Sequence, residues 1–303
     1  MIWLLTTSAA AQSVTELTEQ LATAAAYEGE WVGERRSDTY DLYLKLAAAA
    51  SANQLVTLSS HDAPVVRCYA VRGLVAGGHV SQLPGIVANH LDDLDALRVR
   101  NRDDAYETSA GDLIFELARP RLGARELMQL AERMVREDCQ LTARDWALHN
   151  LRFGRDMHEV IRKLAVAGDR AATVALARYR NAGDVEILVD QLRQPRPFDQ
   201  GSLFLAAEIS RDRRLMPELE KLEAAALRRL ASDDPGSLRL WLRAITAQRS
   251  GQALDFLTHL LLSQPTPDPD KLEAFRGMML EAVEEHPDPL FAELAEELRN
   301  RRP

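Results

Sequence analysis

Helical periodicity runs almost the whole length of this chain, and it is the feature that most limits the fold. Apolar residues return at three- and four-residue spacing in segment after segment, as they do along the buried face of an amphipathic α-helix. Only 15 glycines occur in 303 residues, and β-branched residues are few, which favours helix over sheet. The fold class read from this pattern is all-α. A chain of this length would ordinarily form two globular domains. A repeat array is the exception, because it lengthens without enlarging a central core.

The first helix is predicted from Ser13 to about Glu28. Ser37 is an N-cap candidate for the next, with Tyr40, Leu42, Tyr43, Leu44 and Leu46 marking its apolar positions. A short helix is predicted over Gln54 to Leu58. The clearest unit is 'SSHDAPVVRCYAVRGLVAGGHVSQLPGIVANHLDD', residues 59–93. Asp62 is its N-cap candidate, and Pro64 suits a first helical turn. Val65, Val66, Tyr69, Ala70, Leu74 and Val75 form a buried face, and Gly77-Gly78 ends the helix. A second helix follows, with Pro84 in its first turn and Leu83, Ile86, Val87 and Leu91 apolar.

This unit resembles the HEAT repeat. Pro64, Val65, Val66, Arg67, Ala70 and Leu74 carry the likeness in the first helix, and Leu83, Pro84, Leu91 and Asp92 carry it in the second. The stretch from about Ser37 to Glu116 is also similar to a group of bacterial HEAT-repeat (PBS-lyase/HEAT-like) proteins, through 'SDTYDLYLKL', 'PVVRCYAVRGL' and 'AGDLIFEL'. The resemblance implies a fold and brings no activity with it. In the family, the Val and Ala positions pack between repeats, and Asp and Arg link neighbouring turns.

Further helix pairs can be placed at about 108–119 with 124–137, 142–152 with 156–167, and 169–181 with 183–193. Others follow at 200–210 with 215–231, 236–249 with 251–263, and 269–286 with 288–301. First helices recur roughly every 27 to 45 residues, as in helical repeat arrays. The expected architecture is a right-handed superhelical α-solenoid of about seven antiparallel helix pairs over 13–303. An acidic pair at about 268–301 would cap it. A lone pair cannot bury its apolar face, so each needs a neighbour, and the concave surface of second helices is the usual binding surface.

Two segments interrupt the pattern. Residues 92–107, 'DDLDALRVRNRDDAYE', read as a long polar connection among short turns, and such loops tend to carry function. Residues 193–200, 'RQPRPFDQ', hold two prolines and are not helical throughout. At the N-terminus, residues 1–12 resemble the end of a secretory signal peptide, with Ala9-Ala10-Ala11 before Gln12, but a basic n-region is missing. A periplasmic or exported location is favoured if this is a truncated signal peptide, and a cytoplasmic one otherwise. No stretch approaches the roughly 18 apolar residues of a membrane span.

The net charge of −9 argues against generic nucleic-acid binding. The excess acid is partly local: residues 268–297 hold ten acidic and two basic residues. Residues 144–249 are mildly basic, with 19 Lys+Arg against 15 Asp+Glu. Lysine is confined to Lys45, Lys163, Lys221 and Lys271, so arginine dominates. This reads either as an anion-binding surface or as codon bias. Cys68 and Cys139 form no metal pattern and read as buried small hydrophobes, with a long-range disulfide or reactive thiol as alternatives.

No catalytic, cofactor or metal site is assigned. The seven histidines make no HExxH or His/Cys cluster. Asp145 and His149 could share a helix face, and read as a surface pair. His158-Glu159 is the only His-Glu dipeptide, whereas the HEAT-type di-iron hydroxylases use several. The acids of 92–107 could suit a hard cation, but their order does not match an EF-hand and arginines lie between. The candidate partner-binding residues are Asp92, Asp95, Arg98, Arg100, Arg102 and Tyr106, because Arg and Tyr are enriched at interface hot spots. Trp31, Trp146 and Trp241 are expected in core or inter-repeat packing.

Three functions follow as expectations. The first is a non-enzymatic scaffold or adaptor that holds a protein partner. The second is a DNA-binding or DNA-repair protein resembling the HEAT-like alkylpurine glycosylases, with Asp145, Trp146, Arg152 and Trp241 in its mildly basic region. The third is a chromophore lyase or chaperone-like protein.

Overall fold

A computed structural model describes residues 12–194, 201–230, 235–263, 266 and 268–300. All but Gln12 of the suspected leader at 1–12, and residues 195–200 of the proline-bearing segment 193–200, lie outside the described residues. The chain divides into two compact units, Met1–Ala147 and Leu148–Pro303.

The first unit contains α1 (Val14–Ala22), β1 (Tyr27–Val32), β2 (Arg35–Arg36), α2 (Asp38–Ala49), α3 (Ala52–Leu58), α4 (Pro64–Ala76) and α5 (Leu83–Asn89). Then come β3 (Ala96–Arg102), β4 (Asp104–Ser109), α6 (Ala110–Ala118) and α7 (Ala124–Arg136), with α8 (Thr142–Asn150) spanning the division. Its core is built round α4. Val66, Cys68, Tyr69, Ala70, Val71 and Leu74 are all fully buried, because α1, α3, α6 and the sheet all pack against this helix. The helix is apolar nearly all round, as a helix buried on every side must be.

The sheet corrects the all-α expectation in part. Four strands lie in the order β2-β1-β3-β4, with β1 parallel to β3 and both outer pairs antiparallel. The helix expected to reach Glu28 ends at Ala22, and Tyr27–Val32 is a strand. The connection at 92–107 is no open loop but a β-hairpin. Leu97 and Val99 point inward while Arg98 and Arg100 point outward, the period-2 alternation of a half-buried strand. The two-residue turn is made by Arg102 and Asp103, with Arg102 at φ 50°.

Most helices lie close to where periodicity put them. Ser37 caps α2 through its side chain, and Pro64 opens α4. Asp62 does not cap α4; Ala63 holds that position with no side-chain bond. Trp31 is exposed, Trp146 is partly buried and Trp241 is fully buried.

The second unit contains α9 (His158–Val166), α10 (Arg170–Ala177), α11 (Val185–Arg193), α12 (Gly201–Ser210), α13 (Met216–Lys221) and α14 (Glu223–Leu230). It ends with α15 (Gly236–Thr246), α16 (Gly251–Ser263), α17 (Pro269–Glu285) and α18 (Ala292–Asn300). First helices pack in succession, α10 on α12, α12 on α15, and α15 on α17. Second helices form another row, α11 on α13 and α13 on α16. The turns within pairs repeat a local device. Gly78, Arg180 and Arg211 adopt positive φ, and each stands two residues before a 3₁₀ turn that leads into the second helix. Asn181, Asp212 and Asp288 each cap such a turn through the side chain, as short Asx residues do. Trp241 anchors this core, its indole N–H donating to the Leu219 carbonyl at 2.9 Å.

Candidate functional site

Arg67 organises the start of the hairpin. Its guanidinium donates to the carbonyls of His61 (2.8 Å) and Asp62 (2.9 Å), and to the carboxylates of Asp93 (2.9 Å) and Asp95 (2.7 Å). His90 continues the network, with Nδ1 2.8 Å from Asp93 and Nε2 2.8 Å from the Ser59 carbonyl. Burial opposes charge on Asp93, but His90 and Arg67 outweigh it and hold its carboxyl below the usual value. Asp93 is therefore held in a largely buried network, whereas Asp95, though bonded to Arg67, is exposed, as is Asp92.

The six candidate residues do not share one face. Arg98 stands opposite Glu107 on the outer face of the hairpin, and Arg100 reaches Glu28 at 3.1 Å. Arg102 sits in the turn, where its carbonyl accepts from Gly33 N–H. Tyr106 stands opposite Val99 in the register, so it projects from the other face. The carboxylates of 92–107 do not converge on one point, and no cation cage forms there among the described residues.

Tyr106 leads to a feature the sequence did not show. β4 is the last strand of the sheet, and among the described residues no main-chain group bonds its outer edge. Beside it runs an open groove of about 500 Å³, walled by β4, α6 and the start of α8. Its aromatic side chains are Tyr106, Phe115 and Trp146. The Phe115 and Trp146 rings lie 5.6 Å apart, and Arg119 stacks on Trp146 at 4.3 Å. Exposed Glu107 and Glu116 add negative charge. Burial raises the Tyr106 hydroxyl pKa, and Glu116 and Asp104 push it further up.

The walls of the groove are tied together by hydrogen bonds. Asp112 on α6 accepts from Ser109 Oγ at 2.7 Å and from the Ala143 N–H at 2.8 Å. One carboxylate thereby ties the end of β4 to the start of α8. Such support would keep a surface of this kind preorganised for any ligand.

In the second unit, Glu208, Glu285 and His286 bring three ligand-type atoms together. Arg243 lies among them, 2.7 Å from Glu208 and 2.8 Å from Glu285, and His286 Nε2 is 3.1 Å from Glu208. The guanidinium already supplies the positive charge that a cation would bring, so the donor set fits an ion-pair network. Burial opposes charge on Glu208, yet His286 and Arg243 hold its pKa below normal.

Cys68, Cys139, His158 and Trp241 are engaged in packing or hydrogen bonds. Cys68 and Cys139 are both free and buried, and burial raises the pKa of each thiol. His158 bonds Asp184 at 2.7 Å. Trp241 is sealed in the core, so it offers no surface for a DNA base. No protein family, curated protein or solved structure gives a significant match to this chain. Among the described residues, no helix is long and apolar enough to cross a membrane.

Proposed function

We propose that this protein is a non-enzymatic scaffold that captures a protein partner, taking an extended basic segment along β4. The observation that carries this reading is the juxtaposition of an unpaired strand edge with an aromatic groove. A peptide added to such an edge gains main-chain hydrogen bonds, while the groove selects alternate side chains. Exposed Glu107 and Glu116 favour Lys or Arg at the peptide positions that enter it. Tyr106 and Trp146 are the anchors, as large rings with a polar tip often are at interfaces. The two rows of stacked helices in the second unit support a HEAT-like solenoid in that part of the chain.

The test is a titration of the full chain with extended peptides of about ten residues, alternating basic and apolar, followed by tryptophan fluorescence. The reading expects saturable binding that falls at least about tenfold in Tyr106→Ala, with thermal stability unchanged. Equal binding by that variant, or none by any basic peptide, would refute it.

A further inference from the structure

A second groove, independent of the hairpin, lies within the second unit between the ends of α10 and α12. It encloses about 530 Å³, within the range of small-molecule sites. Four arginines line it: Arg152, Arg178, Arg180 and Arg211. Among the described residues none of the four meets a carboxylate. Elsewhere in this unit Arg162, Arg193, Arg214, Arg239 and Arg299 each do. Four arginines without a carboxylate partner are thus gathered in one concave place.

Arg178 is the fixed member. Its guanidinium donates to the carbonyls of Leu148, at 2.6 Å, and His149, so its orientation is set before any ligand arrives. It is partly buried, and burial together with the nearby Arg152 charge pushes its pKa down. Like charges held together out of water are costly unless an anion joins them. Arg180 and Arg211 stand at φ 52° and 54°, a backbone region that costs most non-glycine residues about 1 kcal/mol. Two carboxylate or carbonyl sources could offset this charge. Glu208 lines the groove, but its carboxylate is engaged by Arg243 and His286. The carbonyl ends of α10 and α12 contribute only partial negative charge. A cationic surplus remains.

We propose that this groove binds a phosphate-bearing small molecule, with the phosphate held by Arg152, Arg178 and Arg211. Planar guanidiniums match phosphate oxygens in paired hydrogen bonds. Phe153 and Tyr179 flank the arginines and give the remainder of the ligand an apolar surface. Tyr179 is held in place by its hydroxyl bond to the Gly154 carbonyl at 2.9 Å and by the edge of His158 at 5.0 Å. A nucleic-acid strand is disfavoured by the net charge of −9, which repels a long polyanion.

Calorimetric titration of the full chain with pyrophosphate and with adenosine monophosphate tests the site. The expected result is one-to-one binding of at least one of them. The affinity should fall about tenfold or more in Arg152→Gln/Arg211→Gln, with the unliganded Tm unchanged. Both side chains are exposed; should the pair of changes unfold the protein, Arg152→Gln alone must show the loss. Absence of heat with both probes, or undiminished affinity in the variants, would overturn the proposal. So would a single-stranded oligonucleotide binding more tightly than either probe.

Discussion

The hydroxyl of Tyr69 bonds both main-chain groups of Glu28, accepting from its N–H at 3.0 Å and donating to its carbonyl at 2.8 Å. A side chain in the middle of α4 thus fixes the first strand of the sheet. The Tyr69 ring also stacks on Tyr27 and Tyr43, at 4.5 and 5.1 Å. Tyr69→Phe keeps the stack and removes the hydroxyl. It should cost about 1–3 kcal/mol, because two main-chain groups lose a partner in a buried setting. Denaturant melts would show a lowered midpoint with unchanged far-ultraviolet dichroism; an unchanged midpoint would mean the hydroxyl contributes nothing.

Gly111 lies in the first turn of α6, where the chain passes close to itself. A Cβ there would lie 2.5 Å from the His90 carbonyl oxygen and 2.9 Å from that of Asp93. Both obstacles are backbone, and Gly111 N–H donates to Asp93 at 3.0 Å. Gly111→Ala should therefore destabilise by about 1–3 kcal/mol through forced displacement. A variant as stable as the parent in thermal melts would show that the approach is looser than this geometry.

Acid should weaken both units through their paired carboxylates. Asp93 and Glu208 lie below their ordinary values of 3.8 and 4.5. A depressed folded value stabilises the native state above the ordinary range, and that contribution is lost as pH falls through the folded value. Tm should therefore drop below about pH 4.5, and Asp93→Asn should flatten part of the drop. An equally steep acid profile in Asp93→Asn would refute the assignment to that residue.

Thiol chemistry gives a simple check on the core. Cys68 and Cys139 are buried with raised pKa values, which keeps them in the inert thiol form. A disulfide-exchange reagent should label neither in the native state and both after denaturation. Rapid native labelling of either would contradict the packing.

Helices were legible because each displays its pattern within its own residues. The cap at Ser37, the proline at Pro64 and the stop at Gly77-Gly78 all act locally. The sheet was less legible. Leu97 and Val99 give only two inward positions, set among Arg98, Arg100 and Arg102, so the alternation is short and reads as polar connection. Its turn, Arg102-Asp103, lacks the glycine that usually announces a hairpin. The pairing of Tyr27 with Val99 joins residues far apart in sequence and leaves no local trace. Tyr106 stands out in the sequence for its chemistry beside charges, whereas its groove depends on Phe115 and Trp146, which only folding brings near. The arginine excess was visible, but not which arginines lack a carboxylate.

The central claim concerns the outer edge of β4, and amide hydrogen exchange along Asp104–Ser109 tests it most directly. Amides paired with β3 should exchange slowly with or without ligand. The outward-facing amides should exchange quickly in the free protein and become protected when a basic extended peptide binds, with no comparable change along α7. Binding that leaves every β4 amide unaltered, or protects a different surface instead, would contradict capture by strand addition.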